Sequence, residues 1–330
     1  MPVALVAETR DVAAAVAHAH VPSVVTLDNG QCSVRSFLQA RPSGVYTCAR
    51  AKTRTVGLGP LDHLSKVIVD WPFHVHRLKT SLELKLHNAK YDTSKLSRFQ
   101  MATERLVTAV LKQWQATTTT ETMDGMLSVL WYPLPESTNS GYGLAVHLCS
   151  MPQVQSTTST LLVYGEGREN ARCKHSKWID DRVPLERHRA HVAEKRLGPI
   201  DEILLRRAGR DGDQLLLEGL VTNFFVVCED RVYTADEGVL EGSVRKLVLD
   251  ACRELSILVV LEPPKLSERT LWQAAFITSV VRVVMSVTRL VWEEEINGHE
   301  VMQEWSIPSD TCDLVQRIRD HVSMHCMCLE

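Results

Sequence analysis

The chain has 330 residues, 45% hydrophobic and 23% charged, with 37 Lys+Arg against 40 Asp+Glu and a net charge of -3. These proportions are ordinary for a soluble globular protein and exclude a disordered, collagen-like or disulfide-dense small secreted chain. The length predicts about two domains, and without a Lys/Arg run no nucleic-acid partner is expected.

The nine cysteines have no framework spacing, and most lie in apolar runs where a reduced thiol acts as a small core residue. The opening MPVALVAETRDVAAAVAHAH has no basic leader region and carries Glu8 and Asp11, so no signal peptide is expected. The most apolar stretch, AAFITSVVRVVMSV, is short for a membrane span and contains Arg282. A cytosolic protein with no membrane partner is the expectation.

Along the chain, Ser43 to Thr55 is rich in β-branched and aromatic residues after an Arg-Pro-Ser-Gly turn and predicts a strand. His74 to His87 predicts a helix, and a second runs through SKLSRFQMATERLVTAVLKQWQA. In the latter, Leu96, Phe99, Leu106, Val107, Val110, Leu111 and Trp114 recur at steps of three and four. MDGMLSVLWYPLP and GYGLAVHLCSMP predict two strands joined by the loop Glu136 to Ser140, and the polar stretch Met151 to Thr160 is the predicted linker. The division expected is 1–152 as a smaller N-terminal domain and 153–330 as a larger cofactor-binding domain.

The second half opens on LLVYGEG and a charged helical stretch, Lys177 to Gly198. Two hairpins follow, one turning at Asp211-Gly212-Asp213 and one at Glu229-Asp230. The best-specified helix begins near Ser243, which is expected to cap it, with Val244, Leu247, Val248, Ala251 and Leu255 on one face. Hairpins mixed with helices predict an α+β fold.

Two features could carry chemistry. Leu240 to Lys246 puts a loop and a glycine before that helix, where unpaired amides and the macrodipole favour an anion; an ordinary helix start has the same pattern. Glu218 ends one strand beside the next, either as a solvated turn residue or as a carboxylate facing a cofactor nitrogen.

Lys174 in GRENARCKHSKW, Asp201-Glu202-Ile203-Leu204-Leu205, Glu218-Gly219, Asn223, Phe225, Leu240, Gly242 and Arg245 form an ordered run. It resembles the fold-type IV pyridoxal-phosphate enzymes, or class IV aminotransferases, which include D-amino-acid and branched-chain aminotransferases and aminodeoxychorismate lyase. HVHRL at His74 to Leu78, FITSVVRVVMSV at Phe276 to Val287 and the closing CDLVQRIRDHV extend the resemblance. GRENARCKHSKW with LEGSVRKLVLDACREL is similar to a plant-type D-amino-acid-aminotransferase-like subgroup.

The resemblance implies a two-domain architecture with a cofactor cleft between domains, pyridoxal 5'-phosphate as cofactor, an amino acid and a 2-oxo acid as substrates, and a homodimer. It makes Lys174 the lysine that holds the cofactor covalently and moves the substrate proton. Glu218 would face the pyridine nitrogen, Arg77 would grip the phosphate, and the Ser243 and Val244 amides would cradle it beside Gly242 and Asn223. Ser279 and Val280 occupy the late phosphate loop, with Val280 where many members have Thr. The Lys174 to Glu218 spacing is longer than the family's usual one, with room for an insertion in Asp180 to Leu197. Ile179 stands where branched-chain members carry a tyrosine.

Tyr46 and Arg50, in the region where the family's small domain faces the substrate, read either as contacts to the substrate carboxylate or as an ordinary strand Tyr and Arg. The expected reaction is transamination, with a lyase of the aminodeoxychorismate type or a non-catalytic binding module as alternatives. No metal site is expected: His18/His20 and His74/His76 lack a third ligand, and Met324 to Cys328 reads as a reduced terminus.

Overall fold

The computed structural model describes residues 4–16, 23–27, 33–54, 64–85, 93–117, 122–134, 141–210, 212–307 and 312–327. The chain forms two compact units. One holds Met1–Pro152, Cys173–Asp180 and Cys326–Glu330, and the other Gln153–Arg172 and Asp181–His325. The fold is α+β, and the segment carrying Lys174 belongs to the first unit although it follows the linker in sequence.

In the first unit the elements run β1 (Ala4–Thr9), α1 (Val12–Val16), β2 (Val25–Leu27), α2 (Val34–Gln39) and β3 (Val45–Arg54). Then come α3 (Trp71–Lys85), α4 (Thr93–Thr117), β4 (Thr122–Pro133) and β5 (Tyr142–Ser150). The strands make one antiparallel sheet in the order β2-β1-β5-β4-β3. Strand alternation sorts their side chains onto two faces. Leu127, Val129, Trp131, Leu144, Val146 and Leu148 join a core with Phe99, Leu106, Val110 and Leu111 of α4. Val6, Tyr46, Cys48, Leu130 and Ala145 face the other way, against Phe37 and Leu38 of α2 and Ile179. The three-and-four spacing in α4 therefore predicts its buried face correctly; α3 starts three residues earlier than expected, with Pro72 near its first turn, where a missing N–H costs nothing. The loop Glu136 to Ser140 and His18/His20 lie outside the described residues.

The second unit contains β6 (Thr158–Glu166), α5 (Trp178–Asp181, which begins in the first unit), α6 (Val183–Val192), β7 (Glu202–Ala208), β8 (Gln214–Gly219) and β9 (Asn223–Cys228). After these come β10 (Arg231–Tyr233), α7 (Ser243–Glu254), β11 (Val259–Val260), β12 (Ala274–Ser279), β13 (Val283–Ile296), β14 (His299–Ser306) and α8 (Asp313–Met327). Strands β9-β12-β13-β6-β7-β8 follow one another, and β8 pairs back to β9 through Glu218 and Asn223, which closes the path. Leu161, Val163, Leu204, Leu216, Phe224, Val226, Ile277, Met285 and Val287 form a core of this unit.

Both expected hairpins form. Glu229 and Asp230 both have positive φ (50° and 56°), as a two-residue turn with the strands' right-handed twist requires. The first hairpin turns around Gly212 at φ 82°, with Gly209 N donating to Asp213 O at 2.7 Å; Asp211 lies outside the described residues. The stretch expected as one charged helix is α5, α6 and a π turn at Ala193–Leu197. Helix α6 packs on β6 and β7, where His188 stacks on Tyr164 with ring centroids 3.7 Å apart. Ser243 is not the helix cap: Gly242 holds that position in extended backbone with no side-chain cap bond, and Ser243 is the first helical residue. Among the described residues no helix is long and apolar enough to cross a membrane.

Candidate active site

Strand β3 is the edge of its sheet and would present unpaired backbone groups. The segment Cys173–Ser176 covers part of that edge. Tyr46 N donates to Lys174 O at 3.0 Å, Ser176 N to Gly44 O at 2.8 Å, and Gly44 N to Ser176 Oγ at 3.0 Å. From α3, Ser81 Oγ accepts from Lys174 N at 3.1 Å, and Ser81 O accepts from the Cys173 thiol at 3.3 Å. The Lys174 backbone is thus fixed on both sides. Its Nζ lies 4.7 Å from the centroid of the Tyr46 ring, a cation–π contact. Lys177, three positions on, is exposed.

Helix α3 carries His74 and Arg77 into the same unit's interior. Arg77 Nη2 donates to Thr47 Oγ1 at 2.7 Å, and Thr47 Oγ1 lies 2.8 Å from His74 Nδ1, itself 3.3 Å from Arg77 Nη2. Guanidinium only donates, so Nδ1 is the acceptor and the ring hydrogen sits on Nε2. Burial, and then the charges of Arg77 and Lys174, hold the His74 pKa well below 6.5, which makes it neutral at pH 7. Burial also brings Arg77 down to about 10, still cationic at neutral pH. His76 is exposed while His74 is buried, because residues two apart point to different sides of a helix; the pair cannot share a metal ion as a strand spacing would allow.

Arg50, one of the residues expected at the substrate carboxylate, pairs with Asp124. Its Nε donates to Asp124 Oδ1 at 2.7 Å and its Nη2 donates to Asp124 Oδ2, a fork-to-carboxylate pair joining β3 to β4. The Asp124 hydrogen bond raises the Arg50 pKa despite partial burial. The pairing engages two of the guanidinium's donor groups.

In the second unit, Glu218 is buried, and Arg168 Nε donates to its Oε1 at 2.7 Å. Leu240 N donates to Oε2 at 2.8 Å, and Leu240 O accepts from Asn223 Nδ2 at 2.8 Å. Glu218 and Asn223, paired where the strand path closes, therefore hold the loop that leads into α7 by both groups of one residue. A methyl group on Gly242 would overlap Asn223 Oδ1 unless that side chain shifts, so the close approach favours glycine. Arg245, buried, ties the helix back through Ala235 O at 3.0 Å.

The first-turn amides of α7, including those of Ser243 and Val244, have no side-chain cap in Gly242 and are suited to an external anion. Strand β12 leads to the late loop, where Ser279 Oγ accepts from Arg282 N at 3.1 Å and keeps its own hydrogen to donate. Val280 offers only backbone there. The register pairs Thr278 with Asn223. Thr278 Oγ1 is buried without a partner among the described residues, an orphan hydroxyl beside the α7 start. Arg282 anchors this loop on Glu202 at 3.1 Å, while burial raises the Glu202 carboxyl pKa.

Sequence reasoning missed Arg168, Thr47, Ser81 and Thr278. Arg168 and Thr278 sit inside the quoted GRENARCKHSKW and FITSVVRVVMSV runs, but nothing in the spacing says which atom each meets.

The model for the family described as amino-transferase class IV matches residues 63–290. Among solved structures, a hypothetical aminotransferase from Mycobacterium tuberculosis in its apo form aligns at TM-score 0.66 and 14% identity, covering 98% of each chain. A fold IV transaminase from Curtobacterium pusillum aligns at TM-score 0.61 and 15% identity, covering 98% of this chain and 99% of that one. The branched-chain aminotransferase from Escherichia coli aligns at 0.59 and 14%, covering 91% and 90%. At these identities the structures speak for the fold alone. No curated protein matches the chain.

Proposed function

The chain belongs to the class IV aminotransferase family, and we propose that it is a pyridoxal-phosphate-dependent aminotransferase passing an amino group from an amino acid to a 2-oxo acid, with Lys174 as its catalytic lysine. Bound, the cofactor supplies an electron sink for negative charge at the substrate Cα. The observation that carries the reading is Lys174 itself. Its main chain is fastened to β3 and Ser81 while its amine rests on the Tyr46 ring near neutral His74 and cationic Arg77. A fixed base and a long flexible arm suit a group that must hold a cofactor and then move a proton.

The remaining side chains fit this cofactor's chemistry. Glu218, oriented by Arg168 and the Leu240 amide, keeps lone pairs to accept a pyridine N–H. Arg77, set by Thr47, is a phosphate donor in the proposal. So are the Ser243 and Val244 amides behind Gly242, Ser279, the Val280 backbone and the orphan hydroxyl of Thr278. Asn223 acts through Leu240 as a positioning residue. Tyr46 excludes water from one side of the Lys174 amine and stays in the substrate region, whereas Arg50 is assigned to Asp124. The substrate is an amino acid of the D- or branched-chain type, and a homodimer, read by light scattering, is part of the same reading.

The test is a single-turnover assay. Protein loaded with pyridoxal 5'-phosphate is mixed with D-alanine, D-glutamate, L-leucine or L-valine, with no oxo acid present. The account predicts at most one 2-oxo acid per subunit for an accepted amino acid, with turnover resuming when an oxo acid is added. Added to the panel, β-chloroalanine carries a β-leaving group, and its repeated conversion to pyruvate and chloride without an acceptor would show a lyase; no product from any amino acid would show a non-catalytic chain.

A further inference from the structure

Helices α7 and α8 bring three side chains of metal-ligand type together on the second unit. Glu254 is the last residue of α7, and His321 and His325 lie one turn apart on α8. His321 Nε2 is 2.8 Å from Glu254 Oε2, and the two imidazole centroids are 5.0 Å apart. One ligand atom from each of the three falls within 4.8 Å of the others. His325 Nδ1 stands 3.2 Å from the His321 carbonyl oxygen. A carbonyl only accepts, so Nδ1 carries the hydrogen and Nε2 is left with its lone pair; metal-binding histidines are commonly oriented this way.

We propose that Glu254, His321 and His325 bind one divalent transition-metal ion of the zinc class, clasping α8 to α7. Two imidazoles and a carboxylate suit zinc, copper or nickel, while calcium and magnesium favour all-oxygen shells. Ligand bonds of about 2.0–2.2 Å put the corners of a tetrahedron roughly 3.3–3.6 Å apart. The Glu254–His321 pair then opens by about half an ångström, and the widest separation closes by a little over one. Glu254 and His325 are exposed and His321 half-buried, so the ion has a path in and the side chains have room to adjust. Nearby arginines are engaged elsewhere, Arg253 with Asp250 and Arg319 with Ser286 Oγ and Val284 O. Three protein ligands leave a fourth position for water, as in open zinc sites.

The proposal does not rest on the aminotransferase reading, and its test needs no turnover. Full-length protein, stripped with a chelator and exchanged into metal-free buffer, is titrated with zinc in a calorimeter, with magnesium as control. Cobalt is titrated in parallel and read by its visible spectrum. The expected result is one zinc per chain and no magnesium heat. His325→Gln and Glu254→Gln, both at exposed positions, should each weaken zinc at least about tenfold, since even outer partners of a metal site typically cost that much. Zinc should raise the thermal midpoint of the wild type and of neither variant. Unchanged affinity in both variants would overturn the proposal. So would zinc binding that is lost in Cys328→Ser, or a thiolate-to-cobalt charge-transfer band, since either would place the ion on the chain's cysteines.

Discussion

His74 should make the first unit lose stability on mild acidification, by an amount that follows from its burial. The ring is buried against Thr47 and Arg77, with its pKa held well below 6.5 by burial, then by Arg77 and Lys174. In the unfolded chain the same ring titrates near its ordinary value of about 6.5. Below that value the unfolded state binds a proton that the folded state refuses, so stability rises with pH and is lost as pH falls through about 6.5. Integrated from pH 7 to pH 5 with the folded ring neutral throughout, one such histidine costs at most about 2 kcal/mol. Above about pH 7.5 it contributes no slope. His74→Asn keeps an acceptor near the Nδ1 position and removes the titration. Urea unfolding of both proteins, followed by the fluorescence of the buried Trp71, Trp114 and Trp131, gives the stability difference at each pH. The variant is expected to be less stable at pH 7, with the gap closing by up to about 2 kcal/mol at pH 5. A gap constant to within about 0.5 kcal/mol, or one that widens in acid, would refute the neutral, buried His74.

Arg168→Met removes a guanidinium from the buried Glu218 carboxylate; breaking such a pair costs about 3–5 kcal/mol, roughly 6–20 °C in midpoint for a unit of this size class. Adding Glu218→Gln should recover part of that loss, and a double variant no better than the single would contradict the pairing. Gly242→Ala forces a methyl into Asn223 Oδ1 and should cost about 1–3 kcal/mol while weakening retention of pyridoxal 5'-phosphate in equilibrium dialysis; a wild-type midpoint would show that Asn223 can yield. Arg50→Met, because its fork is committed to Asp124, should lower the melting midpoint while leaving KM for the amino acid within about twofold. Asp124→Asn should move the midpoint in the same direction. A KM rise of about tenfold or more in Arg50→Met would restore Arg50 to the substrate.

Where the physics is local, the sequence could be read directly. The faces of α4 and α7, the Glu229-Asp230 turn and the existence of β4 and β5 as strands each follow from neighbours in the chain, and each forms as expected. Errors arise where a distant residue decides the outcome. Ser243 has the right type for a cap, but Asn223 is pressed against Gly242 and the helix starts there instead. The Asp124 partner of Arg50 is likewise invisible in the sequence, because only the register brings it alongside from β4.

The candidate site divides in the same way. Lys174, Glu218 and Gly242 stand out through a family pattern. Arg168 and Thr278 lie within the family's motifs, yet the Glu218 that Arg168 meets and the register that sets Thr278 opposite Asn223 come from strand pairing that no spacing shows. His321 and His325 are a visible one-turn pair, but Glu254 joins them from another helix. Without that third ligand the tail reads as a terminus with no metal site.

The central claim is that Lys174 holds the cofactor. Protein loaded with pyridoxal 5'-phosphate, reduced with borohydride and digested for peptide mass mapping, tests it most directly, with Lys174→Ala and Lys177→Ala alongside. The account predicts a visible band in wild type and Lys177→Ala, with the pyridoxyl mass on Lys174 in both, and neither band nor label in Lys174→Ala. A label on Lys177, or a wild-type protein that stays colourless and unlabelled with the cofactor in excess, would contradict it.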